Sequence, residues 1–86
     1  MYYDSHVDVL LSAFRHGVHV EEIEHASRNA VVVEAIAEDP TRYLVLGPDP
    51  AGRLLELIVM DRPQGPAVIH AMPVRPKYRN LLPESP

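Results

Sequence analysis

Arg42-Tyr43-Leu44-Val45-Leu46, the turn Pro48-Asp49-Pro50-Ala51-Gly52, and Leu54-Leu55-Glu56-Leu57-Ile58-Val59-Met60 decide how this chain folds. Both flanking runs are rich in the β-branched and large apolar side chains that suit a pleated surface. The turn between them is too short for a helical crossover, so they read as neighbouring antiparallel strands. The second run carries Leu55, Leu57 and Val59 on one face and Leu54, Glu56, Ile58 and Met60 on the other. A strand apolar on nearly both faces belongs in the middle of a sheet. Upstream, Val31-Val32-Val33-Glu34-Ala35-Ile36 is another strand, joined through Glu38-Asp39-Pro40-Thr41. Downstream, Ala67 to Met72 is a fourth, reached through Arg62-Pro63-Gln64-Gly65-Pro66 and closed by Pro73 and Pro76. The sheet expected is a four-stranded antiparallel meander.

Ahead of the strands the period changes to that of a helix. Val7, Leu10, Leu11 and Phe14 recur at i, i+3, i+4 and i+7, one stripe of an α-helix near residues 5–15. Ser5-His6-Val7-Asp8 resembles a capping box, and Gly17 stands where a left-handed residue ends a helix. A second helix is expected at about 20–29, with Glu21, Glu22 and Glu24 at its start and His25 and Arg28 towards its end, as the helix dipole favours. Lys77 to Leu82 can form one turn with Pro76 at its first position. The fold class is therefore α+β: two N-terminal helices on one face of the sheet, a short helical turn at the C-terminus, and the other face solvated or used for contact.

Eighty-six residues make a single domain (1–86) that withdraws only roughly 60–65% of its unfolded surface from water, so stability is modest. The absence of cysteine removes disulfides, thiolate zinc sites and cysteine nucleophiles. No apolar run reaches bilayer length and Met1-Tyr2-Tyr3-Asp4 lacks a signal pattern, so the location expected is cytoplasmic with no membrane partner. A formal net charge of -4 argues against non-specific nucleic-acid binding while leaving room for a local basic patch. His16, His19 and His25 do not make a metal site, because Gly17 breaks the helical phase between the first two imidazoles. His16 reads instead as a cation at the first helix's C-terminus. The glycines are dispersed at turns and form no phosphate-binding loop.

The order of elements, together with four stretches, resembles the BrnT-like toxins of bacterial type II toxin–antitoxin systems, within the RelE/ParE-like group. The stretches are Phe14-Arg15-His16-Gly17-Val18-His19-Val20-Glu21-Glu22, Asp39-Pro40-Thr41-Arg42-Tyr43-Leu44-Val45-Leu46-Gly47, Gly52-Arg53-Leu54-Leu55 and Val68-Ile69-His70-Ala71. The resemblance covers about residues 14–79. The resemblance implies a compact sheet carrying helices, metal-independent RNA cleavage at or away from the ribosome, no cofactor, and neutralisation by an antitoxin. Met72 stands where the family's last strand ends in arginine, and the next arginine is Arg75.

Cleavage of that kind uses the RNA's own 2′-hydroxyl as nucleophile. It needs a base for that proton, cations for the crowded phosphate, and an acid for the leaving 5′-oxygen. Val74-Arg75-Pro76-Lys77-Tyr78-Arg79-Asn80 holds three cations and a phenol, the strongest local basic patch in the chain. His70, the histidine of the sheet region, is the candidate acid or base. Arg75, Lys77 and Tyr78 complete the expected catalytic set, with Arg42, Arg53 and Arg79 holding phosphates and Tyr78 able to stack on a base. Each residue also has a structural reading. The tail cations can solubilise a terminus, His70 can be a hydrogen-bonded strand residue, Arg53 can neutralise Asp49 or pair with Glu56, and Arg42 with Tyr43 can form a cross-strand pair.

The alternative function is a non-catalytic interaction or regulatory module on the same scaffold, a homodimer or one half of a heteromeric complex. Met72 and the acidic balance favour it, with the apolar third and fourth strands pairing across an interface. A cationic cleft beside His70 and Tyr78 argues for the nuclease, and scattered charge with an exposed apolar edge argues for the module.

Overall fold

The computed structural model describes residues 7–83. Five strands form one mixed sheet: β1 (Asp8–Val9), β2 (Val32–Ala37), β3 (Arg42–Pro48), β4 (Leu54–Met60) and β5 (Ala67–Pro73), in spatial order β1-β5-β4-β3-β2. One α-helix, α1 (Val20–Arg28), and two 3₁₀ helices, η1 (Leu11–Phe14) and η2 (Pro76–Leu81), complete the described chain. No helix among the described residues is long and apolar enough to cross a membrane.

From β2 to β5 the sheet is the expected antiparallel meander, and β4, apolar on both faces, is its middle strand. The β3–β4 turn is built by Asp49. Its buried carboxylate accepts the Ala51 and Arg53 backbone N–H groups at 3.0 and 2.8 Å, while Gly52 takes the left-handed conformation at φ +88.

The N-terminal segment corrects the expected four-stranded sheet and its first helix. Instead of a helix over residues 5–15, Asp8–Val9 adds a fifth strand parallel to β5, followed by η1. Ser5 and His6 of the expected capping box lie outside the described residues. Leu10 is extended and its N–H reaches the Val68 carbonyl at 2.9 Å, so the segment bonds to the β5 edge rather than to itself. A four-residue apolar stripe is a weak helix signal, and satisfying a free sheet edge outweighs it. The stripe is accordingly split: Val7 is buried, whereas Leu11 is 89% exposed. Ser12 Oγ donates to the Ile69 carbonyl at 2.6 Å, at the irregularity in the β4–β5 register. Gly17 does take the expected left-handed conformation, at φ +79.

The second helix forms where expected. The His19 N–H donates to Glu22 Oε1 at 2.8 Å at its start, and Asn29 Nδ2 donates to the His25 carbonyl at 2.8 Å at its end. Ile23 and Ala26 pack with Val7, Ala13 and Val18 on Val45, Leu55, Leu57, Val68 and Ala71, one face of the sheet. The opposite face is neither solvated nor free: η2 and its flanks cover it, so that Leu44, Leu46 and Val74 bury with Val32, Leu54, Ile58, Tyr78, Leu81 and Leu82. The chain is thus three layers deep at its centre.

The helix approaches β3 closely at Gly47, where an added Cβ would meet the backbone carbonyl of Ala26 well inside van der Waals contact. Backbone cannot swing aside as a flexible side chain can. Gly47→Ala is therefore expected to destabilise the fold by about 2 kcal/mol or more. Urea unfolding measures this, and a cost within error of zero would refute so close a helix–strand contact.

Candidate functional site

Glu56 is the one charged residue in β4. Its side chain projects onto the face covered by η2, where its backbone registers with Leu46 on one side and Met72 on the other, and it is fully buried. An unpaired carboxylate there would cost several kcal/mol. The chain satisfies it by leaving β5 at Pro73 and turning Arg75 back over it. The Arg75 backbone N–H donates to Oε1 at 2.9 Å, its Nε lies 3.0 Å from both carboxylate oxygens, and its Nη2 reaches Oε2 at 2.6 Å. This fork holds the basic tail against the sheet.

His70 is the second partner, its Nε2 3.0 Å from Glu56 Oε2. An ionised carboxylate only accepts, so Nε2 carries a proton, and in the neutral ring Nδ1 is then the nitrogen with the lone pair. Among the described residues nothing donates to that Nδ1. The His70 side chain is 25% exposed, and the His16 ring lies against it edge-on, centroids 5.6 Å apart at 73°. Beyond Arg75, Tyr78 has two cations near its ring: Lys77 Nζ 5.0 Å and Arg75 Cζ 5.6 Å from the centroid.

Burial alone would push the Glu56 carboxyl up. The hydrogen bonds from the Arg75 side chain and backbone and from His70, with the Arg75 charge, outweigh burial and hold it below its ordinary value. In return the Glu56 hydrogen bond raises Arg75 further above the ordinary arginine value. The carboxylate is charged, and it orients both an imidazole and a guanidinium.

The expected site residues therefore divide. His70 and Arg75 meet on Glu56, Tyr78 lies beside Arg75 with Lys77 over its ring, and Arg79 follows on the same 3₁₀ helix, exposed. Arg42 and Arg53 do not join them. They stand at opposite ends of the β3–β4 hairpin, separated by roughly 20 Å of strand. Arg53 is drawn to Asp49, Nε to Oδ2 at 3.2 Å, with Glu22 3.7 Å from its Nη2. Of its two structural readings, the Asp49 partner is the real one; Glu56 belongs to Arg75. The Arg42 Nε is buried with no hydrogen-bond partner. Arg62, also basic, donates to Asp8 and to the Gly65 carbonyl, tying β1 to the β4–β5 turn. Among the described residues no three His, Asp or Glu side chains group as a metal site.

Two members escaped the sequence reading. Glu56 had a signal, a single acid inside an apolar central strand. His16 had none. It arrives through the path of η1 along the β5 edge, not at the end of the helix once expected there.

Breaking the pair at Arg75 leaves the buried carboxylate behind, so Arg75→Ala is expected to cost about 2–4 kcal/mol near neutral pH, discounted because the arginine is partly exposed. In the wild type the depressed Glu56 contributes stability that is fully present above its ordinary value of 4.5 and is lost as pH falls through the lower folded value. Without Arg75, burial dominates and that sign reverses. The stability gap between wild type and Arg75→Ala should therefore narrow steadily as pH falls from neutrality through the acid range, as read by urea unfolding. A gap independent of pH would mean that Glu56 is not the partner that matters.

Compared with known proteins, the chain matches no family model, no curated protein and no solved structure.

Proposed function

We propose that this chain is the toxin component of a toxin–antitoxin pair, a metal-independent endoribonuclease acting in the cytoplasm on RNA, free or at the ribosome. The observation that carries the reading is the shared buried carboxylate, which aligns His70 and Arg75 side by side. In this scheme His70 Nδ1 accepts the 2′-hydroxyl proton, and Glu56 steadies the imidazolium that forms. O2′ attacks the adjacent phosphorus, the P–O5′ bond breaks, and a 2′,3′-cyclic phosphate is left. Protonated His16, beside His70, gives its proton to the departing O5′. The outward N–H groups of Arg75, with Lys77 and Arg79, neutralise the non-bridging oxygens, and Tyr78 offers a stacking surface. An antitoxin covering this face would silence it. The resemblance to BrnT-like toxins points the same way.

A second reading, the non-catalytic interaction module, has its own support. Arg53 and Arg62 are bound up in ion pairs, and the exposed apolar edge is β2 rather than the expected third and fourth strands, which lie inside the sheet as β4 and β5. The two readings separate in one experiment. Induction of the wild type in bacteria is expected to arrest growth. Purified protein should cut RNA in the presence of a chelator, with termini bearing cyclic phosphate and with 2′-deoxy substitution at the scission site blocking the cut. His70→Ala should lower the rate by about 10²–10⁴-fold, and Lys77→Ala/Arg79→Ala should abolish arrest. Neither arrest nor cleavage by a folded wild type would overturn the nuclease and leave the module, whereas equal arrest by wild type and the tail variant would discredit the site.

A further inference from the structure

The edge strand β2, with Val31 just before it, carries the longest run of exposed apolar side chains among the described residues. Val31 is 51% exposed, Val33 61% and Ile36 48%. The cause is geometric. Val33 and Ala35 register with Val45 and Tyr43 of the helix-side core, but α1 packs over β3 and β4 and stops short of β2. Nothing among the described residues pairs with the outer edge of β2, so a row of backbone N–H and C=O groups faces outward. Such edges are ordinarily guarded by lysine, proline or a bulge. Residues 31–35, Val-Val-Val-Glu-Ala, contain neither lysine nor proline, and the one β2 irregularity falls beyond them, between Ala35 and Ala37.

We infer that β2 pairs with β2 of a second copy of this chain, antiparallel about a twofold axis through Val33. Side chains directly opposite across an antiparallel pair share a face, which limits the registers to those joining residues of equal parity. Centring on Glu34 would set two carboxylates face to face. Centring on Val33 sets Val33 against its mate and Ala35 against the mate's Val31, so the helix-side face pairs apolar with apolar, while on the other face Glu34 meets the mate's Val32 and no like charges meet. The strand ends are complementary as well. Exposed Arg28 and Asn29 precede β2, exposed Glu38 and Asp39 follow it, and antiparallel pairing brings the basic start of one copy beside the acidic end of the other. Arg28 has no ion-pair partner among the described residues, and the dimer supplies one. The two sheets become continuous and the uncovered strip closes over itself. This inference deepens the interaction-module reading and is independent of the nuclease, whose site involves β4, β5 and η2.

Sedimentation velocity on the full chain tests it. The wild type is expected to sediment with twice the mass of its 9.6 kDa chain. Val33→Lys, which sets two ammonium groups on the axis, should weaken association by about tenfold or more while leaving the unfolding midpoint of the monomer unchanged, since residue 33 is exposed. Glu38→Lys should also weaken it, and adding Arg28→Glu should restore it. Amides of Val33 and Ala35 should become protected from hydrogen exchange as concentration rises. A wild type that stays monomeric up to its solubility limit overturns the inference, as does a dimer indifferent to Val33→Lys. A stable dimer with no cleavage of RNA would overturn the nuclease and leave this interface standing.

Discussion

One fully buried carboxylate, Glu56, organises the half of this molecule on which the basic tail lies. Glu56 lies in the central strand under a layer of apolar side chains, where a carboxylate survives only if its oxygens are fully engaged. Arg75 engages both from outside the sheet, and to do so the chain must cross back over β4 after β5. That crossing lays Val74, Tyr78, Leu81 and Leu82 on Leu44 and Leu46, so the same interaction that neutralises the charge also closes the second core. Packing and electrostatics here are one requirement. The remaining lone-pair capacity of Glu56 sets the tautomer of His70, which gives the site its directional character.

Charge distribution follows the same logic through the rest of the chain. Arg53 closes a turn onto Asp49 and Arg62 pins the N-terminal strand to the β4–β5 turn through Asp8. Of the eight basic side chains, Arg53, Arg62 and Arg75 are held by the chain's own carboxylates among the described residues. On the proposed nuclease reading, the groups beside His70 that remain for RNA are Lys77 and Arg79 with the outer edge of Arg75, together with two adjoining imidazoles. That proposal is compatible with a negative formal charge, since a single phosphodiester needs only a few positive groups beside it. The narrow helix layer has the opposite consequence on the far side: one α-helix seated closely on Gly47 cannot also cover β2.

Much of the sheet was legible because its evidence is local and repeated. β-branched runs, short turns with proline, aspartate and glycine, and the two-faced apolarity of residues 54–60 each pointed to the same meander, and α1 carried its charges in dipole order. The first helix misled for a physical reason. Its four-residue stripe also suits a short strand leading into a 3₁₀ turn, and the deciding partner, the edge of β5, lies nearly sixty residues downstream in Ile69 and its neighbours. The covering of the second face by η2 was invisible for the same reason. Its anchor is a pairing between Glu56 and Arg75, each of which had another plausible partner or role along the chain.

The amino-acid order by itself determined the elements from residue 20 onward, the central position of 54–60, and the concentration of basic and aromatic groups in 75–79, because periodicity, turn chemistry and composition act over a few neighbours. Only the tertiary structure decided which cation neutralises Glu56, that His16 meets His70, that Arg42 and Arg53 stand apart, and that β2 is left bare. Those outcomes depend on how far-separated segments compete for one buried charge and for one free sheet edge, and no local spacing encodes the result of that competition.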